Sequence, residues 1–363
     1  MSSKKQTYAT LLDLSSKISI YNSSLKTKGE LALLEREEWV DYAKAIGIIL
    51  VTYGHVARGV MNAGIKSDES IYYLINNIIY SFHMPLFFFL SGLFFISSLQ
   101  QRGAYPLFKN KLATIFYPYI VWSILQGSIE LVLSNYTNGN VTVTQITSLL
   151  WAPRAQFWFL YALFLVSLAG ILVYSKLTAE YYWLVLVFAT IAYLTRHELA
   201  LIPLTGFILH NFVFFAFGIV FYQKKELVAK NNYFILPVSF FVFIALQWYF
   251  HIQLNLLYTT EKYSLALLVA VCSILFVSSL SIFLLQFKLK WLALLGEASL
   301  GIYVMHVIAG SGTRIVLQKL LGINDILTHL VIGTVMGVLI PLMIMIFLKD
   351  HINVLLRAPK IFR

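Results

Sequence analysis

Long apolar windows recur along the chain and restrict its fold more than any other feature of the sequence. The 363 residues are 59% hydrophobic and only 12% charged, a composition too apolar for a soluble domain of this size. Ten windows are long enough to cross a bilayer, namely 38–58, 71–96, 112–134, 157–175, 181–195, 206–222, 233–251, 263–287, 291–308 and 326–348. Because the alternation typical of strands is absent, the sequence predicts an all-α integral membrane protein, a bundle of about ten transmembrane helices.

Basic residues are distributed unequally between the predicted loops. With the N-terminus in the cytoplasm, nineteen of the 27 Lys and Arg residues fall in cytoplasmic segments and seven in outer segments. Cytoplasmic loops of membrane proteins carry such an excess, so the count predicts a cytoplasmic N-terminus. An even number of spans then places the C-terminus there as well. Topology thus explains the net charge of +11, and no nucleic-acid partner is expected.

The windows divide the chain into three segments. Residues 1–36 are expected to form a cytoplasmic tail or interfacial helix, 37–350 the ten-helix membrane domain, and 351–363 a basic cytoplasmic tail. The loops are too short to hold a separate soluble catalytic domain, so any chemistry belongs to the membrane bundle. The single cysteine, Cys272, excludes an intramolecular disulfide.

The first window carries ionisable residues within an apolar span. In a helix, Lys44 and His55 lie within roughly 20° of each other around the axis and about 16 Å apart along it. Arg58 extends this stripe, and Asp41 lies a turn before Lys44. Ionisable residues inside a span are costly and often functional. The alternatives are that Lys44 reaches the headgroups and that His55 makes a purely structural hydrogen bond.

The second window places Asn76 and His83 on one helical face. Pro85 removes a backbone donor in mid-span and is expected to kink the helix. A kink beside a histidine can open a polar cavity within a bundle. The alternative is simple helix packing through Ser91 and Gly92.

The ninth window places Ser299, Tyr303 and His306 on one face, with His306 toward the predicted outer side, as His55 is. Three spans therefore each deliver one histidine. Further polar residues whose roles the sequence does not define lie in the third and sixth windows: Gln126, Glu130, His210 and Asn211. The sequence lacks H-x-x-x-H and H-E-x-x-H patterns, so no metal site is expected. It also lacks the G-x-S-x-G pattern of serine hydrolases.

Four motifs then occur in a fixed order. A basic residue, ten intervening residues and a histidine span Lys44 to His55, followed by F-H-M-P-L-F-F-F-L-S-G at 82–92, F-W-F-L-Y-A-L-F at 157–164 and L-G-E-A-S-L-G-I-Y-V-M-H at 295–306. Together they resemble the membrane acyltransferase 3 family, and in particular its fucose 4-O-acetylase-like branch.

The resemblance implies an enzyme of the bacterial inner membrane that takes an acetyl group from cytoplasmic acetyl-CoA. It would transfer this group to a hydroxyl of a surface polysaccharide, or of its lipid-linked precursor, at the outer side. By the motif match, Lys44 corresponds to the family's basic residue and His55 to its essential histidine. The family often has two arginines, spaced R-x-x-R, before the third span. In this region the chain has Lys109 and Lys111, but Thr114 stands where the second basic residue of the motif is expected.

Basic groups at the inner face could hold the phosphates of coenzyme A by charge-assisted hydrogen bonds. We expect this role for four residues: Lys44, Lys109, Lys111 and Arg102. The uncharged pantetheine arm would thread between the helices and bring the thioester to His55. There the histidine would act as a general base or form an acetyl-histidine intermediate, and the sequence does not separate the two.

His83 is the second catalytic candidate, because it could orient His55 or polarise the thioester carbonyl, as could Asn76. Tyr303 and His306 are expected on the acceptor side. Arg58 and Asp41 are expected to support the site.

Two other functional classes stay open from the residues alone. A transporter would use buried Lys, His and Glu residues to relay protons or to bind a solute, although no clear repeat relates the two halves of the chain. A non-catalytic scaffold or sensor would predict that His55 and His83 are both dispensable. A homo-oligomer, or association with polysaccharide-assembly proteins, also stays open.

Overall fold

The computed structural model describes residues 37–65, 69–132, 142–199 and 202–359. Regular structure within these ranges is helical throughout. The described part includes eight helices long and apolar enough to cross a membrane: Ile71–Arg102, Ala104–Val132, Ala155–Tyr174, Pro203–Gln223, Asn232–Gln253, Tyr263–Phe287, Ser299–Leu320 and Ile326–Phe347. This confirms the all-α, multi-pass membrane class. The segment 1–36 lies outside the described residues.

The helices are numbered in chain order. The first eight are α1 (Glu38–Asn62), α2 (Glu69–Tyr80), α3 (His83–Leu93), α4 (Phe95–Arg102), α5 (Ala104–Lys111), α6 (Tyr117–Val132), α7 (Val143–Thr147) and α8 (Trp158–Tyr174). The remaining ten are α9 (Tyr182–Leu194), α10 (Arg196–Leu199), α11 (Pro203–Gln223), α12 (Lys225–Lys230), α13 (Asn232–Trp248), α14 (Tyr263–Leu284), α15 (Lys290–Glu297), α16 (Ser299–Ile315), α17 (Ile326–Phe347) and α18 (Lys349–Leu356). A π-helical turn, Leu112–Phe116, joins α5 to α6.

Two of the ten predicted windows are not among the eight long apolar helices. The fifth window corresponds to the shorter apolar helix Ala179–Leu194. The first corresponds to α1, which has 25 residues but carries the polar stripe from Asp41 to Arg58. The number of ten spans and the cytoplasmic termini stay predictions.

The ninth window begins later than the sequence predicted. The chain turns at Ala298, between α15 and α16, and the long apolar helix starts at Ser299. Glu297 ends the short helix α15 and is therefore not inside the ninth span, so the predicted boundary at 291 was wrong. The apolar residues of α15 had been merged with the following helix because they continue its hydrophobic run.

The second window breaks where Pro85 requires it. Pro85 has no backbone N–H to offer the carbonyl of Ser81, and the chain makes a turn at Ser81 and Phe82 between α2 and α3. The His83 Nδ1 atom lies 2.7 Å from the Ile79 carbonyl oxygen and bonds it at the break. The predicted kink is thus confirmed, with His83 as the first residue after it.

Close backbone contacts between glycines hold α3 against α11. A Cβ atom added at Gly92 would lie 2.1 Å from the Phe215 carbonyl oxygen, and one at Gly218 would lie 2.1 Å from the Phe89 carbonyl oxygen. Small residues permit such approaches in membrane bundles, where packing replaces the hydrophobic drive. The sequence alternative of packing through Gly92 is therefore correct as well, and it coexists with the cavity described below.

The C-terminal helix α18 lies against the third span. The Tyr117 hydroxyl donates to the Val354 carbonyl oxygen at 2.9 Å, and the Trp122 indole donates to the Leu355 carbonyl oxygen at 3.1 Å. The segment 351–363, expected as a basic tail, thus includes most of this docked helix.

We predict that Gly92→Ala and Gly218→Ala each destabilise the bundle, because the added methyl group overlaps a facing carbonyl oxygen. Overpacking of this kind costs about 1–3 kcal/mol. Thermal unfolding of the purified variants in detergent measures the effect. Gly312→Ala is the matched control for stability, since a Cβ atom there meets no atom within 4 Å. Equal midpoints for Gly92→Ala and Gly312→Ala would contradict the packing argument.

Candidate active site

Helices α1, α2, α3, α6, α8 and α16, together with the turn before α8, line a cavity of about 350 Å³, here called the histidine cavity. Its walls bring together residues that lie far apart in the sequence, including His55, Arg58, Tyr80, His83, Gln156 and Tyr303. Four of these six were candidate site residues from the sequence. The cavity lies toward the end of the bundle that the charge distribution predicts to be outer.

His55 and His306 face each other across the α1–α16 contact. Their ring centroids are 5.0 Å apart and their planes meet at 64°. The His306 Nδ1 atom donates to the Tyr303 carbonyl oxygen at 2.6 Å, because a carbonyl can only accept. In the neutral ring, Nε2 then carries a lone pair, and this atom is buried without a hydrogen-bond partner among the described residues.

His83 is held by the break that precedes it. Its Nδ1 atom donates to the Ile79 carbonyl oxygen, so the neutral ring presents Nε2 as an acceptor. A neutral His83 in this tautomer can take a proton or accept a hydrogen bond, but it cannot donate to a thioester carbonyl. Of the two roles expected for His83, orientation of His55 by accepting a hydrogen bond fits this tautomer, and polarisation of the thioester carbonyl does not.

Tyr80 is a member of the site to which the sequence analysis gave no role. Its ring centroid lies 4.4 Å from that of His83, and the Arg58 Cζ atom lies 3.6 Å above the Tyr80 ring. The Tyr80 hydroxyl is buried and has no hydrogen-bond partner within the described ranges. It is thus a potential donor in the cavity. The spacing of three residues between Tyr80 and His83 is the sequence pattern that could have identified Tyr80 as a neighbour of the histidine.

A segment of a predicted outer loop, residues 149–156, contributes Ala155 and Gln156 to the cavity wall. Tyrosine hydroxyls hold its backbone: Tyr119 donates to the Leu149 carbonyl oxygen at 2.5 Å, and Tyr303 donates to that of Gln156. Tyr303 was expected on the acceptor side. Its hydroxyl group instead donates to the backbone of this segment.

Side-chain contacts also tie the segment to α6. Arg154 forms an ion pair with Glu130, and the Gln156 amide donates to the Gln126 Oε1 atom at 2.6 Å. Glu130 and Gln126 thus acquire a structural role that the sequence left undefined. These two contacts join residues on opposite sides of a loop, so no helical periodicity in the sequence predicts them.

The expected donor-side residues lie away from the histidine cavity. The Lys44 amine forms an ion pair with Asp41 at 3.2 Å, and its side chain is 35% exposed. Lys109 lies over the Tyr105 ring at 4.9 Å, and Lys111 lies 5.9 Å from the Phe95 ring.

Arg102, at the end of α4, is exposed. Asn76 is buried with its Oδ1 atom unpaired among the described residues, but it does not line the histidine cavity. Thr114, which stands at the family's second basic position, lies in the π-helical turn and donates to the Asn110 carbonyl oxygen at 2.8 Å.

Packed hydrocarbon separates Lys44 from His55 on α1. Ile48 and Val51, which lie between them on the same stripe, are 0% and 1% exposed. The expected passage along this face is therefore closed in the structure. Helical periodicity predicted that Lys44 and His55 share one face of α1. It did not predict that the space between them is filled, because this depends on how neighbouring helices pack.

A second, larger cavity of about 530 Å³ adjoins the first and shares Tyr80, Met84 and Trp158 with it. We call it the aromatic cavity, because tyrosine, tryptophan and phenylalanine rings supply much of its wall. His210 lies here, with its Nδ1 atom 2.8 Å from the Gly206 carbonyl oxygen. The sequence gave no indication of this cavity.

A comparison with protein families identifies the class of this chain. The sequence profile of an acyltransferase domain matches residues 37–346, which is most of the chain. The chain therefore belongs to the membrane acyltransferase 3 family. Comparison with curated proteins and with solved structures gives no match. Family membership favours an acyltransferase over the transporter and scaffold alternatives.

We predict that Glu130→Gln destabilises the protein on the order of 2 kcal/mol, because it leaves the largely buried Arg154 guanidinium without its counter-ion. The double variant Glu130→Gln/Arg154→Gln should recover part of this loss. A double-mutant cycle of thermal midpoints measures the coupling. Additive effects of the two single substitutions would show that the pair contributes nothing to holding the outer segment.

Proposed function

We propose that the protein is an O-acetyltransferase of the bacterial inner membrane. It moves an acetyl group from cytoplasmic acetyl-CoA to a hydroxyl of a surface polysaccharide, or of its lipid-linked precursor, at the outer side. The coarser statement, a membrane acyltransferase, follows from the family match over residues 37–346. The donor, acceptor, membrane and direction of transfer are the proposal.

The observation that carries the proposal is the position of His55. It is the histidine of the family-like motif, it faces the histidine cavity, and its ring makes no hydrogen bond within the described residues. A neutral imidazole with an unoccupied nitrogen suits a general base. His306 supports it, since its buried Nε2 lone pair can accept the N–H of the His55 ring and leave the other nitrogen to receive the sugar proton.

Transfer then proceeds by attack of the sugar oxygen on the thioester carbonyl carbon. His55 takes the hydroxyl proton, the carbon–sulfur bond breaks, and the thiolate of coenzyme A receives a proton as it leaves. The Tyr80 hydroxyl is available to donate to the carbonyl oxygen while negative charge develops there. An acetyl-histidine intermediate on His55 remains the alternative route, and trapping radiolabel on the protein in the absence of acceptor would distinguish it.

The donor reaches this site from the opposite end of the bundle in our proposal. Lys44 and the basic residues of α4 and α5 would hold the phosphates of coenzyme A near the cytoplasmic surface. Because Ile48 and Val51 fill the direct route along α1, the pantetheine arm needs either a movement of these side chains or a path beside another helix.

Our first functional prediction is that His55→Ala abolishes acetyl transfer, because it removes the base that lies beside His306. Membranes supplied with radiolabelled acetyl-CoA and the glycan of a deletion strain provide the assay, and thermal unfolding confirms that the variant is folded. His210→Ala, a histidine substitution in the aromatic cavity, is the control and should retain activity. Normal turnover by folded His55→Ala would refute the assigned role.

Comparison of glycan O-acetylation between a deletion strain and its parent by NMR tests the activity as a whole. Loss of O-acetyl signals on deletion, restored by the wild-type gene and not by His55→Ala, supports the proposal. Unchanged O-acetyl content in the deletion strain, together with uptake of a solute by proteoliposomes lacking any acyl donor, would favour a transporter instead.

We further predict that Lys44→Ala raises the KM for acetyl-CoA about tenfold, since a charge-assisted contact to phosphate is lost. The maximal rate should change less. Lys44→Arg keeps the charge and should remain close to the wild type. A donor KM that is unchanged in Lys44→Ala would place the phosphates of coenzyme A elsewhere.

A further inference from the structure

Beside the histidine cavity lies a third cavity of about 450 Å³, which reaches the ends of α1 and α16 at Asn62 and Ile315. We call it the outer cavity, after the side to which the charge distribution assigns it. It shares His55 and Arg58 with the histidine cavity. A molecule that enters from this end of the bundle therefore meets His55 at the inner wall.

Among the described residues, positive charge exceeds negative charge around the outer cavity. Arg58 and Arg314 both line it, and the acidic residue in its wall is Glu130, which is already paired with Arg154. Neither Arg58 nor Arg314 forms an ion pair within the described part of the chain. Counting these four side chains, the charge around the cavity is two positive units in excess.

Arg314 is buried, and part of its guanidinium group has no hydrogen-bond partner among the described residues. Its residue is only 5% exposed, and one of its terminal nitrogens donates to the Gln318 Oε1 atom at 3.3 Å. Its Nε atom is buried and has no partner among the described residues. On α1, the Arg58 Nη2 atom is also buried and unpaired within these ranges. Two helices thus place arginines that have unpaired guanidinium N–H groups on the wall of one cavity.

A buried cation without a counter-ion is costly, and within a membrane such residues generally mark a ligand path. Guanidinium groups match the geometry of carboxylate and phosphate oxygens and bind them with charge-assisted hydrogen bonds. The missing partner of Arg58 and Arg314 is therefore expected to be an oxyanion supplied by the ligand.

Resting on the proposed function, we infer that the acceptor is an anionic glycan whose carboxylate or phosphate group binds Arg58 and Arg314 in the outer cavity. The same contact would set the attacking hydroxyl beside His55. The anion belongs to the acceptor and not to the donor, because coenzyme A approaches from the Lys44 end of α1. A uronic-acid carboxylate and the pyrophosphate of a lipid-linked sugar share this chemistry.

The test uses unacetylated glycan isolated from a deletion strain and the purified full-length protein in nanodiscs with radiolabelled acetyl-CoA. One sample of glycan is carboxyl-reduced, and another is released from its lipid phosphate by mild acid. We expect removal of the recognised anion to raise the acceptor KM about tenfold or more. Loss of activity on reduction identifies a carboxylate, and loss on release identifies a phosphate.

Variants connect this effect to the arginine. Arg314→Gln should raise the KM for the intact acceptor to a similar extent, leave the KM for acetyl-CoA unchanged, and become insensitive to removal of the anion. Arg314→Lys should retain part of the preference. Arg196→Gln removes an arginine from the aromatic cavity and should keep the full preference. An acceptor used equally well without its anions, or wild-type behaviour of Arg314→Gln, would overturn the inference.

The anion site is also tested without turnover, by thermal unfolding in the presence of glucuronate, glucose or inorganic phosphate. Stabilisation of the wild type by an anion over glucose, absent in Arg314→Gln, supports the site. Equal responses of the two proteins overturn it. If no glycan is acetylated yet the anions stabilise only the wild type, the proposed function fails while the anion site stands.

Discussion

The absence of a backbone donor at Pro85 shapes the site more than any other single feature. Within a bilayer every backbone polar group needs a partner from the protein, so an uninterrupted helix is the default and a break requires compensation. Pro85 leaves the Ser81 carbonyl oxygen without its helical partner, and the His83 ring bonds the nearby Ile79 carbonyl oxygen, which also accepts from the Phe82 N–H group at 3.3 Å. The same break places Tyr80 and His83 on the wall of one cavity, opposite the polar face of α1. The break in the helix and one wall of the cavity therefore involve the same histidine.

The sequence predicted the features that depend on helical periodicity. His55 and Arg58 share a face of α1, and Tyr303 and His306 share a face of α16, because residues three or four apart on a helix are neighbours. The break at Pro85 was predictable for a similarly local reason. These patterns were sufficient to identify four of the residues that line the histidine cavity.

Features that depend on contacts between helices escaped prediction. The ion pair of Arg154 with Glu130 and the position of Arg314 beside His55 require knowledge of which helices meet. The packing of Ile48 and Val51 between Lys44 and His55 is of the same kind, and it closes a route that the helix spacing alone had suggested. The start of the ninth span was missed because the apolar residues of α15 run directly into α16.

The outer segment 149–156 is anchored through its backbone, since the phenol groups of Tyr119, Tyr161 and Tyr303 bond the carbonyl oxygens of Leu149, Leu150 and Gln156. Carbonyl oxygens are present whatever the side chains are. Most positions of this segment can therefore diverge without loosening its attachment. Substitutions in this segment can therefore reshape the cavity wall near Ala155 and Gln156 while the tyrosines that hold its backbone stay unchanged.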